Sequence, residues 1–144
     1  MYLYEVEDKL KSTKNITKNI DSYIEKAREY VDIPPEAIYH IVLSLVEAVN
    51  NAAEHGNGFD PEKFVHLHIV ADNNMIRMSV RDEGPGYEPD FEAAEARINS
   101  EVNKYADRGR GLFLIKKLMH EVETDISNGT ELIMTFYFAR GINC

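Results

Sequence analysis

Apolar residues along this chain switch between two periods, and the switches outline its elements. Ile16, Ile20, Tyr23, Ile24, Ala27 and Val31 recur at helical spacing, which predicts a helix from Ile16 to Val31. Asp32-Ile33-Pro34-Pro35 breaks that pattern, and Pro35 suits the first turn of a second helix. The second helix carries the stripe Ile41, Val42, Leu45, Val49 and Ala52. It is expected to run to about His55, where Gly56-Asn57-Gly58 stops it. The period then drops to two. FVHLHIVA (Phe64–Ala71) and MIRMSVR (Met75–Arg81) read as a hairpin turning at Asp72-Asn73-Asn74. Helical spacing returns from Gly109 to His120 through Leu112, Phe113, Ile115, Leu118 and Met119. Glu121 to Ile126 and Glu131 to Phe138 read as closing strands around Ser127-Asn128-Gly129-Thr130, and Met1 to Val6 as a short edge strand. The polar stretch from Tyr87 to Asp107 reads as a loop with one short helix, roughly Phe91 to Ile98.

The order β-α-α-β-β-loop-α-β-β keeps strands beside strands. It predicts the α+β class, a two-layer sandwich with helices on one face of a mostly antiparallel mixed sheet. The 144 residues suit one domain over 1–144, and 44% hydrophobic with 28% charged residues is a globular composition.

Charge and cysteine narrow the functional classes. Sixteen Lys and Arg against 25 Asp and Glu leave a formal charge of −9. That argues against direct nucleic-acid binding, whose affinity comes mostly from basic residues, and against a polybasic membrane anchor. The lone Cys144 allows no internal disulfide, the opening MYLYEVEDKLK lacks the apolar core of a signal peptide, and the apolar runs fall short of a membrane span. A cytoplasmic setting without a membrane partner is the expectation.

Three polar constellations carry candidate chemistry. On the second helix, Glu47, Asn51 and His55 recur at i, i+4 and i+8, which stacks a carboxylate, a carboxamide and an imidazole on one face. Glu47 could serve as a general base and Asn51 as a hard oxygen ligand for Mg²⁺. A solvated polar stripe is the commoner fate of such a row, and His55 is most simply a partner for the helix dipole. In Asp82-Glu83-Gly84-Pro85-Gly86, an aspartate ends a strand, where it could accept from an exocyclic amine. Gly84 and Gly86 would admit a flat ligand, and the alternative is a glycine turn with an acidic flank. Arg108-Gly109-Arg110-Gly111, followed by Leu112, opens a helix whose free N–H groups and added arginines suit phosphate; a hinge is the alternative. The spacing is not that of a P-loop, and Leu114 stands where a dinucleotide fingerprint has its third glycine. His66 and His68 share a strand face without a third ligand near them in sequence and are expected on a sheet surface.

In order, EAVNNAAEHG, DEGPG and RGRGLFLIKKLM resemble the asparagine box and two glycine boxes of the GHKL ATPase superfamily. Within it the chain looks most like the bacterial anti-sigma-factor serine/threonine kinases, over about Leu3 to Phe138. The resemblance implies a Bergerat-type ATP site. Glu47 then matches the catalytic base, Asn51 the Mg²⁺ ligand and Asp82 the adenine-recognising aspartate. Gly84 and Gly86 match the first glycine box. Gly109 and Gly111, with Arg108, Arg110 and Leu112 beside them, match the second, around the phosphates. Thr130 matches a threonine supporting the adenine pocket, and residues 87–108 the ATP lid. His55 matches a family position, and Arg110 stands where many relatives carry a small or apolar residue. The implied activity is transfer of the ATP γ-phosphate to serine or threonine on an anti-anti-sigma partner of the STAS fold. A sigma factor as a second partner and a homodimer are also implied. The alternative is a nucleotide-binding partner-switch module with little or no kinase activity.

Overall fold

The computed structural model describes residues 1–87, 89 and 110–142. The predicted short helix at 91–98, Arg108, Gly109 and nearly all of the 87–108 lid lie outside the described residues.

Alternation along the strands builds one sheet. β1 (Tyr4–Lys11), β2 (Phe64–Ala71), β3 (Met75–Arg81), β4 (Glu121–Asp125) and β5 (Glu131–Tyr137) pair in the order β1-β2-β3-β5-β4. Every described pairing is antiparallel, so the expected mixed character is absent among the described strands. Register follows the period of two. Leu67 opposes Val80, and Ile76 opposes Phe136, so these side chains share one face. That face carries Val65, Leu67 and Ile69 of β2, Ile76, Met78 and Val80 of β3, and Leu132, Met134 and Phe136 of β5, all buried. Burying each such side chain contributes roughly 1.5–3 kcal/mol before entropy is set against it. The alternate residues, among them His66, His68, Ser79 and Arg81, point away from the core.

Helices cover the apolar face. α1 (Ser22–Ala27) is shorter than the predicted 16–31 helix. Its approach closes i→i+3 turns instead: Ile16 to Thr13, Lys18 to Asn15, Ile20 to Thr17 and Ser22 to Asn19. The carbonyls that accept these turns belong to Thr and Asn, residue types that favour turns over helix interiors. The apolar period still reports burial correctly, since Ile20, Ile24, Ala27 and Val31 all enter the core. α2 (Pro35–Asn51) starts at Pro35 as expected and buries Ile41, Leu45 and Val49 completely. It does not stay α-helical to His55. Ala52–Gly56 widens into a π-helical turn, with Asn57 N–H bonded to the Ala52 carbonyl. α3 (Arg110–Leu118) packs beside α2 over the sheet, burying Leu112 and Ile115.

β1 is the least well predicted strand, running Tyr4–Lys11 rather than 1–6. Asp8, Lys9 and Lys11 hide it from a hydrophobicity reading. Charged residues are what an exposed edge strand carries to block further pairing.

Candidate functional site

The strand order puts the ends of β3 and β5 side by side, beneath the C-terminal end of α2. Asp82, just past β3, is 2% exposed. Its own N–H donates to the Thr130 carbonyl at 3.0 Å, and its Oδ1 accepts from Gly84 N–H at 2.9 Å and Thr130 N–H at 3.1 Å. Two backbone donors therefore hold one carboxylate oxygen. The other, Oδ2, lies against the end of α2: a Cβ on Gly56 would sit 1.9 Å from it. Gly56 is thus more than a helix stop; only a residue without a side chain lets α2 close on Asp82. Gly129 approaches from the opposite side at φ +75°, where a Cβ would fall 2.1 Å from the Asp82 carbonyl oxygen. Gly86, at φ +84°, turns the chain into Tyr87.

Asn57 holds this end of the site in place. It is 3% exposed and uses both ends of its carboxamide. Nδ2 donates to Ser12 Oγ at 2.7 Å and to the Phe64 carbonyl at 2.9 Å, and Oδ1 accepts from Glu83 N–H at 2.8 Å. The start of β2, the segment after β1 and the residue following Asp82 are thereby joined. Glu83 also accepts from His66 Nε2 at 2.7 Å and from Phe64 N–H, and the His66 contact leads in lowering its carboxyl pKa.

The other end of the site lies between α2 and α3. A Cβ on Gly111 would come within 2.8 Å of Glu47 Oε2, so the first turn of α3 rests directly on the Glu47 side chain. The first N–H groups of a helix have no intrahelical acceptor, and its N-terminus carries partial positive charge. A carboxylate and the N-terminal turn of a helix therefore meet here. Leu112 is buried, so its side chain serves the core and its contribution to a phosphate would be the backbone N–H. The Arg110 backbone begins α3.

Asn51 lies between the two ends, one turn past Glu47, and its Nδ2 donates to the Tyr87 hydroxyl at 3.1 Å. Thr130, 6% exposed, contacts Asp82 through its backbone and Tyr87 through its hydroxyl. The fold therefore gathers Glu47, Asn51, Asp82, Gly84, Gly86, Gly111 and Thr130 from four separated stretches. His55 sits in the final turn of the α2 end with Nε2 3.9 Å from Glu54, which fits a dipole partner. His66 and His68 lie on the open sheet face. His68 has carboxylates that sequence spacing missed, Glu5 at 2.7 Å and Glu7 at 3.6 Å, delivered by β1.

Residues 10–136 match the family described as the histidine kinase-like ATPase domain. The chain belongs to this family. It is also 30% identical over 96 residues to an anti-sigma F factor of Geobacillus kaustophilus, covering 65% of each protein. It is 32% identical over 114 residues to an anti-sigma F factor of Bacillus cytotoxicus, covering 76% of this chain and 75% of that one. The fold is shared with the crystal structure of the RsbU and RsbW domains of a Mycobacterium tuberculosis protein, at a TM-score of 0.59 and 21% identity, over 92% of this chain and 31% of that chain. The match thus spans about two thirds of the Geobacillus relative and under a third of the mycobacterial chain. Family membership carries binding of ATP. No helix among the described residues is long and apolar enough to cross a membrane.

Sequence reasoning missed Asn57, Tyr87 and the closeness of Gly56 and Gly129 to Asp82. The signal for Asn57 was present in Gly56-Asn57-Gly58, where an asparagine between glycines reads first as helix-ending chemistry. Its buried partners come from residues 12, 64 and 83, which local spacing cannot connect.

Proposed function

We propose that this domain, 1–144, is an ATP-dependent serine/threonine protein kinase of the anti-sigma type. Its substrate is a hydroxyl on an anti-anti-sigma partner of the STAS fold, and it holds a sigma factor in the alternate state. The observation that carries this reading is the meeting of Glu47 with the start of α3, on the same helix whose C-terminal end closes through Gly56 on the buried Asp82. A base beside a helix start suited to phosphate, with a buried acceptor suited to adenine against the far end of α2, is what hydroxyl phosphorylation by ATP needs.

Asp82 takes the adenine amine, with Gly84, Gly86 and Thr130 shaping the pocket. Gly109, Gly111 and the α3 N–H groups, including that of Leu112, hold the phosphates beside Arg108 and Arg110. The Asn51 carboxamide supplies a neutral hard oxygen, the donor class that magnesium accepts while keeping waters and phosphate oxygens as its other ligands. Bound magnesium supplies charge neutralisation at the phosphates. Glu47 Oε accepts the proton of the partner's hydroxyl as that oxygen bonds to the γ-phosphorus. The bond from γ-phosphorus to the bridging oxygen breaks, and ADP leaves with the electron pair. The new phosphate adds nearly two negative charges to the partner, which weakens its hold on a chain of formal net charge −9. A homodimer belongs to this reading, and sedimentation with and without nucleotide tests it.

Glu47→Gln is the direct test, with labelled ATP, magnesium and a STAS-fold partner. ATP binding persists and phosphoryl transfer falls by about 10²–10⁴. Transfer at the wild-type rate would remove Glu47 from the role of base. Bound ATP without any phosphoprotein in the wild type would replace the kinase with a nucleotide-dependent partner-switch module.

A further inference from the structure

Tyr87 closes a hydrogen-bonded line between the two ends of the site. Its N–H donates to Thr130 Oγ1 at 2.9 Å, and Thr130 Oγ1 lies 3.4 Å from the Tyr87 carbonyl, so the residue is held on both sides of its backbone. Thr130 N–H is bound to Asp82 Oδ1 at 3.1 Å. At the far side, the Tyr87 hydroxyl oxygen accepts from Asn51 Nδ2 at 3.1 Å. The sequence Asp82, Thr130, Tyr87, Asn51 is therefore continuous from the buried carboxylate to the carboxamide beside Glu47.

A carboxamide has one end that donates and one that accepts, and a metal takes only the oxygen. In water the group rotates freely about its last torsion and presents either end. A hydrogen bond at Nδ2 selects the rotamer that turns Oδ1 the other way. Outer partners that orient a metal ligand in this manner are usually carboxylates or backbone carbonyls on a histidine. Here a tyrosine would do the same for an asparagine.

We propose that Tyr87 is a positioning residue: its phenol oxygen holds the Asn51 carboxamide with Oδ1 turned toward a divalent cation, and Thr130 ties that orientation to the Asp82 pocket. The proposal rests on the reading of Asn51 as the magnesium ligand. It follows that adenine recognition and cation binding are coupled through residues of this chain, since a base on Asp82 stiffens the Thr130–Tyr87 anchor that sets Asn51.

The test is cation titration of the full chain saturated with ATP, by calorimetry with Mg²⁺ and by electron paramagnetic resonance with Mn²⁺. The proteins are wild type, Tyr87→Phe, Asn51→Ala and the double variant. Tyr87→Phe keeps the ring and removes only the hydroxyl. It is expected to weaken cation binding about 10- to 100-fold while ATP affinity in EDTA changes far less. In the double variant, Tyr87→Phe adds nothing to the loss caused by Asn51→Ala, because both act through one ligand. The Asn51 side-chain amide resonance, read by NMR without metal, shifts in Tyr87→Phe, which a merely structural role elsewhere would not produce. Unchanged cation affinity in Tyr87→Phe overturns the proposal. Tighter binding also overturns it, and makes the phenol a stopper that the cation displaces. Wild-type affinity in Asn51→Ala brings down the parent reading of Asn51 as ligand, and this proposal with it. Loss confined to Asn51→Ala overturns the role of Tyr87 and leaves that parent reading standing.

Discussion

The two ends of the site are built on opposite principles. Around Asp82, buried groups are joined by short hydrogen bonds, and glycines leave no space for a methyl group. Around Glu47, the groups are half-buried, and the close neighbour of Gly111 is the far end of a flexible side chain. A buried network is costly to build and fixes one geometry. In the proposed reaction the adenine ring is the same in ATP and ADP, so the Asp82 end would gain from being fixed. The Glu47 end would meet a different ligand before and after transfer, so it would need donors without a rigid wall.

The largest effect that would break this comparison is at Gly129. Gly129→Ala forces a left-handed residue, costing about 1–2 kcal/mol, and drives a methyl group into the Asp82 carbonyl, where overpacking adds roughly 1–3 kcal/mol. Urea unfolding should show the sum, with ATP binding lost as well. Gly111→Ala is the matched change at the other end. Its methyl group meets the Glu47 side chain, most tightly at the flexible Oε2 end, and alanine gains up to about 1 kcal/mol of helix propensity, so stability holds or rises. Phosphoryl transfer should nevertheless fall, because Glu47 is displaced. Equal destabilisation by the two alanines would erase the distinction between the ends.

Asn57→Ala sharpens the rigid side. It strands Glu83 N–H, Ser12 Oγ and the Phe64 carbonyl, and a loss of about 2–4 kcal/mol in unfolding free energy is expected. Ser44→Ala runs the other way. Ser44 is fully buried on α2, and its Oγ has no hydrogen-bond partner among the described residues. Removing that hydroxyl should raise stability by about 1 kcal/mol in thermal or urea unfolding. The smallest effect is in acid. The His66 hydrogen bond leads in depressing the Glu83 carboxyl below its ordinary 4.5, so the ionised form is favoured on folding. This contribution is present above pH 4.5 and fades as pH falls through the lowered folded value. Glu83→Gln should therefore lower stability slightly at neutral pH, leave the acid end nearly unchanged, and so flatten the acid limb of a pH–stability profile.

Much of the fold was legible because apolar period reports burial. β2 and β3 fall at their predicted bounds, and β4, β5 and α3 within two residues of theirs. The misses have local causes. Asparagine and threonine turns shorten the first helix, an edge strand carries charge, and α2 widens to bring Gly56 onto Asp82.

By itself, the sequence determined the α+β class, the core stripe and the residue types of the candidate site, because periodicity and chemical identity are local properties. Only the tertiary structure decided which of those residues share a site. Antiparallel pairing of β3 with β5 brings Thr130 to Asp82, and packing of α2 against α3 brings Gly111 to Glu47. Asn57 and Tyr87 became visible only there, because their partners lie up to 45 and 43 positions away along the chain. A hydrogen bond across such a separation is set by the packing of the whole sheet, and no window of the sequence contains both of its ends.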